Sequence, residues 1–276
     1  MSPADEYRVV ARNTATASTN KIHDDTVARR YGFAGGLVPG VDVYAYMTHP
    51  PVTAWGVDWL ERGWMRARFA TPVYEGEEVV VAPAAVDGGD AARGMGLELR
   101  GPDGPDGGPR ATGEARLPDL SPPPPSPDHW GDATPRPDPP PASPATLAPG
   151  TALALDPRRF DADRADEYLA DIGETSPLYT DQGVAHPGWL LRHANWVLSS
   201  NVRLGPWIHV ESVTQHHALV RHGDSVEARA TVTREWERKG HRFIELYVGL
   251  VANASRLIAR IVHTAIYQPR PAAGGA

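Results

Sequence analysis

The sequence predicts an α+β protein made of two tandem units, each with one central helix and an antiparallel sheet. Three observations support this fold class. A proline-rich segment divides the chain, because 16 of its 28 prolines lie between Gly101 and Pro149. Each remaining piece contains a Pro-Gly pair, at Pro39-Gly40 and Pro187-Gly188, followed by apolar residues at helical spacing. Each piece then continues into runs of alternating valines and polar residues, which are typical of strands.

The division places one unit at residues 1–118, a linker at 119–149 and a second unit at 150–271. Proline lacks an N–H and has a fixed φ, so the linker is expected to contain neither helix nor central strand. An extended, semi-rigid polyproline-type spacer fits this composition. A docking segment for an aromatic-lined groove of a partner is the alternative.

The spacing of apolar residues predicts the central helices at 41–49 and 188–200. An antiparallel sheet needs a cover for its apolar face, and one helix lying across each sheet supplies it. Two such units can also pair edge to edge, which removes exposed strand edges. The strand predictions start near Tyr74 and Arg221, include a strand and turn within 207–220, and cover 95–101, 111–118, 241–252 and 255–267.

Composition excludes several classes of protein. The chain is 41% hydrophobic, which is enough for a core. The absence of cysteine excludes disulfides, thiolate metal sites and a cysteine nucleophile. The net charge of −7 argues against a nucleic-acid binder. No membrane-spanning apolar run and no signal-peptide pattern is visible, so a cytoplasmic location is expected.

The segment STNKIHDDTVARRYGFAGGLVPG, at 18–40, resembles the signature of MaoC-like hotdog proteins, the (R)-specific enoyl-CoA hydratases and dehydratases. In that family an Asp-x-Asn-Pro-hydrophobic-His motif precedes a helix, and a short element ending in glycine follows. The similarity covers about 18–81 well and about 174–267 more loosely. It implies a double hotdog, in which each half is a long central helix wrapped by an antiparallel β-sheet. It also implies that one half carries the chemistry while the other mainly shapes the acyl pocket.

In the first half, the resemblance places His23 on the motif histidine and Asn20 on its asparagine. Lys21 replaces the proline, and Ser18 stands where the catalytic aspartate is expected. Gly40 matches the glycine of the short element. The resemblance therefore makes His23 and Asn20 catalytic candidates, and Ser18 and Gly40 substrate-binding candidates.

In the second half, the same register gives Glu174 at the acid position and Tyr179 in place of the histidine. Both are catalytic candidates. Gly188 matches the glycine, and His186 directly precedes the Pro-Gly pair, so these two are expected to bind substrate. Neither half holds a complete Asp/His pair.

The chemistry that the resemblance implies is the addition of water to an enoyl thioester, or its removal from a 3-hydroxyacyl thioester. This reaction needs a base, an acid and a hydrogen-bond donor for the thioester oxygen. His23 is expected to serve as general acid/base, with Asn20 orienting water or carbonyl. The missing carboxylate is expected from Asp24, Asp25 or Glu174 of the other half. Asp24 and Asp25 are explained more simply as the N-cap and first-turn acids of a short helix.

A backbone N–H at the start of a helix can stabilise the negative charge that develops on the thioester oxygen. Gly40 and Gly188 are the candidates, because glycine lets backbone and ligand approach closely. Arginines at the tunnel mouth would bind the anionic carrier, with Arg29, Arg30, Arg66 and Arg68 as candidates.

Other functions remain open on this fold. Double-bond isomerisation, Michael-type cyclisation and thioester hydrolysis also stabilise an enolate or oxyanion, and a non-catalytic acyl-binding module is the last alternative. The expected partner is an acyl thioester of CoA or an acyl carrier protein, in fatty acid or polyketide metabolism. No metal or redox cofactor is expected, and either a monomer or a homodimer fits. His209, His216, His217 and His222 lie in or beside predicted strands and are not expected to hold a metal.

Overall fold

The computed structural model describes residues 6–84, 93–120, 122–130 and 133–272, apart from the side chains of 105 and 128. Its strands are β1 (Tyr7–Val10), β2 (Trp64–Phe69), β3 (Glu78–Ala84), β4 (Gly94–Arg100), β5 (Pro109–Arg116), β6 (Ala152–Arg159), β7 (Ile208–His216), β8 (Ser225–Arg238), β9 (His241–Ala252) and β10 (Arg256–Gln268). Its α-helices are α1 (Asp25–Arg30), α2 (Gly40–Arg62), α3 (Ala162–Ile172), α4 (Leu178–Gln182) and α5 (Pro187–Ser199).

The described strands form one ten-stranded sheet in the order β1-β3-β4-β5-β2-β7-β10-β9-β8-β6. Every pairing is antiparallel, and β2 from the first half pairs with β7 from the second. The register of that seam runs from Trp64 opposite Gln215 to Arg68 opposite Glu211. The α+β fold class is confirmed, and the two halves share one continuous sheet.

Helix α2 is the central helix of the first half and is much longer than predicted. Residues 41–48 are all buried, so this part of the helix contacts protein on every side. Pro50 and Pro51 lie inside the helix, where proline removes backbone hydrogen bonds. A kink at Gly56, which has a φ of 58°, interrupts the helical geometry further along.

Helix α5 is the central helix of the second half and matches the predicted 188–200 within one residue. It starts with Pro187 in its first turn, a position that suits proline because its N–H would lack a partner there. A buried ion pair joins the two central helices, with Arg192 on α5 lying 2.9 Å from Asp42 on α2. Thr14 donates a hydrogen bond to the other oxygen of Asp42.

The linker, 119–149, packs against the second half of the sheet. Its described residues contain a 3₁₀ turn at Pro127–Trp130 and no α-helix. Trp130 is buried against Gly249, and its indole N–H donates to the carbonyl oxygen of Tyr247 at 3.0 Å. Leu147 is fully buried. The boundaries of the linker and of the two units stay predictions. Among the described residues, no helix has the length and apolar character needed to cross a membrane.

Candidate active site

A cavity of about 450 Å³ lies where the two halves meet. The first half contributes the loop from Asn20 to Gly40, the start of α2 and the end of β2. The second half contributes the start of β7, Asn195 on α5, and the turn between β8 and β9. Much of the wall is apolar, including Phe33, Val43, Phe69, Trp207 and Phe243.

His23 lines this cavity in a defined tautomer. Its Nδ1 lies 2.7 Å from the carbonyl oxygen of Leu37. A carbonyl only accepts hydrogen bonds, so Nδ1 carries the proton and Nε2 keeps a lone pair. Burial lowers the pKa of His23, against smaller opposing effects of the Leu37 carbonyl and the Asp42 charge. His23 is therefore a neutral imidazole with one basic nitrogen.

Asn20 contacts Nε2 of His23 and connects the two halves. Its amide nitrogen lies 3.3 Å from Nε2 of His23 and donates to the carbonyl oxygen of Trp207 at 2.9 Å. Its amide oxygen accepts from the backbone N–H groups of Trp207, at 3.1 Å, and Ile22, at 3.3 Å. All four hydrogen-bonding positions of the amide are used. Asn20 therefore connects the loop that carries His23, in the first half, to Trp207, directly before β7 of the second half.

Gly40 begins α2 at the wall of the cavity. The N-cap residue, Pro39, makes no side-chain hydrogen bond to the helix start. The first N–H groups of a helix have no partner within the helix, and the helix dipole favours negative charge beside them. A Cβ at Gly40 would lie 2.8 Å from Nδ1 of His209. Glycine is required here because the imidazole packs directly on the backbone.

His209 reaches this position through a β-bulge in β7. The register of β7 against β10 shifts so that Val210 has no opposite residue. A bulge changes the face to which the following side chains point. As a result His209 and Ser212, three residues apart, are both buried, whereas Val210 and Glu211 between them are partly exposed.

A chain of three buried side chains extends from His209 into the core. Its Nε2 lies 2.8 Å from Oγ of Ser212, which lies 3.0 Å from Nδ1 of His263. The ring of His209 packs on Phe69 with centroids 4.6 Å apart. Nδ1 of His209 has no hydrogen-bond partner in the described part of the chain. Sequence reasoning placed His209 only among strand histidines, and nothing in its local pattern indicates the bulge.

Basic side chains surround the entrance to the cavity. Arg68 lines it together with Arg238 and Lys239 at the turn between β8 and β9. None of these three makes an ion pair within the described ranges. Arg66, which was predicted alongside Arg68, is instead paired with Glu211 at 2.9 Å.

Glu174 lies in a separate cluster rather than beside His23. Its side chain is 2% exposed and accepts hydrogen bonds from His49 at 3.0 Å and from the N–H groups of Thr175 and Ser176 at 2.8 Å. His186 lies 3.7 Å from its other oxygen. Burial alone would raise the pKa of Glu174, but the contacts with His186 and His49 lower it well below its usual range.

The other second-half candidates surround this cluster. Tyr179 is buried, with its ring 4.6 Å from that of His186. Nδ1 of His186 accepts the N–H of Gly188 at 3.0 Å, and the hydroxyl of Tyr168 lies against Gly188 where a Cβ would clash. Burial lowers the pKa of His186, although the neighbouring Glu174 opposes this.

The structure thus divides the predicted site residues into two groups. His23, Asn20 and Gly40 line the cavity, whereas the four candidates of the second half form the buried cluster away from it. Ser18 does not line the cavity, and its hydroxyl accepts the backbone N–H of Asn20 at 3.1 Å.

Asp24 and Asp25 have structural partners. Asp24 caps α1 by accepting the N–H of Val27 at 3.0 Å. Asp25 lies in the first turn of α1 and accepts the N–H of Gly36 at 2.8 Å. The simpler explanation for these two acids, as residues of a short helix start, is therefore confirmed.

Comparison with solved structures places the chain among double-hotdog proteins. It superposes on a MaoC-like dehydratase with a TM-score of 0.64 and 14% identity, covering 96% of this chain and 98% of that chain. A Mycobacterium tuberculosis protein described as a double hotdog matches with a TM-score of 0.59 and 15% identity, covering 96% of each chain.

The same fold also includes proteins assigned to another reaction. A structure from Lactobacillus plantarum described as a putative oleoyl thioesterase matches with a TM-score of 0.54 and 9% identity, covering 97% of each chain. No protein-family model and no curated protein sequence matches the chain. The predicted double-hotdog fold and the likeness to MaoC-like dehydratases are confirmed, and the reaction is left to the chemistry of the site.

Proposed function

We propose that this protein catalyses hydration of an enoyl thioester, or the reverse dehydration of a 3-hydroxyacyl thioester, within fatty acid or polyketide metabolism. The observation that carries the proposal is His23. It is a neutral imidazole of fixed tautomer, placed in a largely apolar cavity beside the uncapped start of α2.

A single imidazole can perform both proton transfers. No carboxylate of the described residues lies within ion-pair distance of His23, so the second group of an Asp/His pair is not available. In the hydration direction, Nε2 takes a proton from water as the water oxygen bonds to the β-carbon. The electron pair of the double bond moves to the enolate. Nε2–H then returns the proton to the α-carbon, which restores the neutral imidazole.

Two neighbours support this cycle. The Leu37 carbonyl stabilises the imidazolium form of His23, because its hydrogen bond to Nδ1–H strengthens when the ring becomes positive. The Asn20 amide contacts Nε2 at 3.3 Å, a long hydrogen bond that a water molecule can replace. Asn20 is then in position to orient that water toward the β-carbon.

The start of α2 suits the thioester oxygen. In the enolate this oxygen carries negative charge, which the free N–H groups and the dipole of a helix N-terminus stabilise. The cations Arg68, Arg238 and Lys239 at the entrance suit the phosphates of a CoA or phosphopantetheine carrier.

The proposal is tested with enoyl and 3-hydroxyacyl thioesters of increasing chain length, each on CoA and on an acyl carrier protein. Mass spectrometry of the products separates the candidate reactions. Gain or loss of one water supports the proposal. Release of free thiol identifies a thioesterase, the class named in the description of the Lactobacillus plantarum structure. A product of unchanged mass but different structure identifies an isomerase or cyclase, and binding without any change identifies an acyl-binding module.

A further inference from the structure

We propose that Asn195 selects the acyl chain of the substrate, by donating a hydrogen bond from its amide nitrogen to an oxygen that the chain carries beyond the reacting carbons. The substrate class is then an oxygenated acyl thioester, with a hydroxyl or keto group along its chain, rather than a plain fatty acyl thioester. This assignment rests on the proposed function and narrows it. It gives the second half of the protein a direct part in substrate recognition.

Asn195 lies on the face of α5 that packs along α2. Gly188, Arg192 and Asn195 follow one another at helical spacing on this face. A Cβ on Gly188 would lie 2.6 Å from that of Ala45. Arg192 pairs at 2.9 Å with Asp42, which is nearer the start of α2. The contacts thus move toward the start of α2 as α5 continues, and about one turn further Asn195 lines the cavity.

The Asn195 amide has no partner within the described part of the protein. Its Oδ1 is buried without a hydrogen bond to any described residue. Nδ2 makes no hydrogen bond to these residues either, but it is not enclosed, so its N–H groups are open to the cavity. The reversed amide would bury two unpaired N–H groups in place of one unpaired carbonyl oxygen, which is the less favourable arrangement. The second half therefore presents a hydrogen-bond donor to the cavity.

The fold itself does not require an amide at this position. Asparagine is a weak helix former, because its side chain competes for backbone hydrogen bonds. The equivalent residue of α2, counted from the glycine of the Pro-Gly pair, is Met47, which is fully buried. The same position of the other central helix is thus filled by an apolar side chain. A ligand, rather than packing, explains the polar side chain of Asn195.

The groups assigned above cover the other parts of the substrate. His23 and Asn20 act on water and the reacting carbons, the start of α2 suits the thioester oxygen, and the cations at the entrance suit the carrier phosphates. The acyl chain is the part that remains. A hydrocarbon chain against Asn195 would displace water from the amide and leave it unpaired, whereas an oxygen on the chain accepts its N–H.

The first test measures binding and needs no turnover. The probes are octanoyl-CoA and a set of analogues with one keto group at successive carbons from the γ-carbon onward, all without a double bond to hydrate. By calorimetry, the wild type is expected to bind one keto analogue about tenfold more tightly than octanoyl-CoA, the value of one hydrogen bond in a site closed to water. Equal or weaker binding of every keto analogue would overturn the inference.

The second test removes the donor. Asn195→Leu, a change of similar size, should weaken binding of the preferred keto analogue about tenfold and leave octanoyl-CoA bound at least as tightly as in the wild type. Ser199→Ala is the control, because Ser199 lies one turn further along α5 and outside the cavity. It should keep the wild-type preference. If folded Asn195→Leu weakens all probes equally, Asn195 contacts the thioester or its carrier, and its assignment to the chain is wrong.

Turnover separates a failure of this inference from a failure of the proposed function. Among enoyl thioesters of one length, kcat/KM should be highest for the substrate with an oxygen at the preferred carbon. Asn195→Leu should lower that value through KM, with little change in kcat. If no thioester is hydrated, the proposed function fails, while the binding preference still decides the role of Asn195. An equal loss of kcat for plain and oxygenated substrates would overturn its role in selection.

Discussion

The two central helices start with the same Pro-Gly pair but meet opposite surroundings. At α5, His186 accepts the N–H of Gly188, and the Tyr168 hydroxyl covers the glycine. At α2, Pro39 supplies no side-chain cap, and Gly40 lines an open cavity. The residue before the proline and one aromatic side chain therefore decide whether a helix start is closed or available to a ligand.

The acid–base groups divide in the same way. The Glu174 side chain is buried and accepts three short hydrogen bonds, so its negative charge is stabilised by groups of the protein itself. Nε2 of His23 is held by one long contact with Asn20 and lies at the cavity. A carboxylate that already accepts several hydrogen bonds contributes to the stability of the fold. An imidazole nitrogen with one long hydrogen bond can exchange that contact for a ligand. Four sets of substitutions test this contrast.

The largest effect is expected at His23. His23→Ala removes the imidazole that contacts Asn20 and the Leu37 carbonyl, and should lower kcat by about 10²–10⁴. The matched change His186→Ala, in the closed cluster, should affect stability but leave kcat per folded molecule within about tenfold. Steady-state hydration kinetics and circular dichroism separate the two outcomes. Comparable loss of kcat in both variants would contradict the contrast.

Substitution of Gly40 should affect mainly activity, whereas substitution of Gly188 should affect mainly stability. A Cβ at Gly40 meets the His209 ring, so Gly40→Ala should disturb the site and cost about 10–10² in kcat/KM. A Cβ at Gly188 meets Tyr168 and Ala45 inside the core, so Gly188→Ala should cost about 1–3 kcal/mol of unfolding free energy. Denaturant melts and kinetics on both variants test this. An inactive but fully stable Gly188→Ala would refute the assignment of that end as structural.

Glu174 should make stability depend on pH in the acidic range. Its folded pKa is depressed, so its contribution is present above the unfolded value of about 4.3 and is lost as pH falls toward the folded pKa. Glu174→Gln should lose about 1.5–3 kcal/mol at neutral pH, the value of hydrogen bonds to a charged group. The variant's stability should then change less than that of the wild type on acidification. Parallel curves of unfolding free energy against pH would rule this out.

The smallest effect is expected at the entrance. Arg68→Ala or Arg238→Ala should raise KM for a CoA thioester about two- to fivefold, as for exposed ion pairs, with kcat unchanged. The increase should shrink at high salt because screening weakens exposed charges. Arg234→Ala, outside the cavity, serves as the control. An unchanged KM in both entrance variants would place the carrier elsewhere.

The sequence predicts those elements whose signal is local. The β-branched run at 241–252 matches β9 in full, and α5 is confirmed within one residue. The spacing of apolar residues predicted that α2 ends near residue 49, directly before Pro50 and Pro51, and proline normally stops a helix. It continues to Arg62 in the structure. Strands β1, β2 and β6 and helices α3 and α4 were not predicted.

The residues of the candidate site also divide into those that local sequence predicts and those that depend on tertiary structure. Asn20, His23 and Gly40 lie within one short motif, so their placement in a common cavity follows from local sequence. His209 depends on a bulge and on pairing between β2 and β7, neither of which leaves a local pattern. Glu174 was one of the carboxylates expected to complete the pair with His23, but it follows α3, a helix that was not predicted, and its side chain is held by His49 on α2 and by the N–H groups of Thr175 and Ser176.

The continuous chain across the β2–β7 seam has a consequence for symmetry. In a dimer of identical hotdog subunits, every substitution appears at both helix starts, so a tyrosine that closes one would close the other. Here each half has its own sequence. Tyr168 covers the glycine at the α5 start, whereas His209 of the same half packs beside the glycine at the α2 start, which still lines the cavity. In a single chain the two helix starts can therefore differ, one covered by protein and the other open to a cavity.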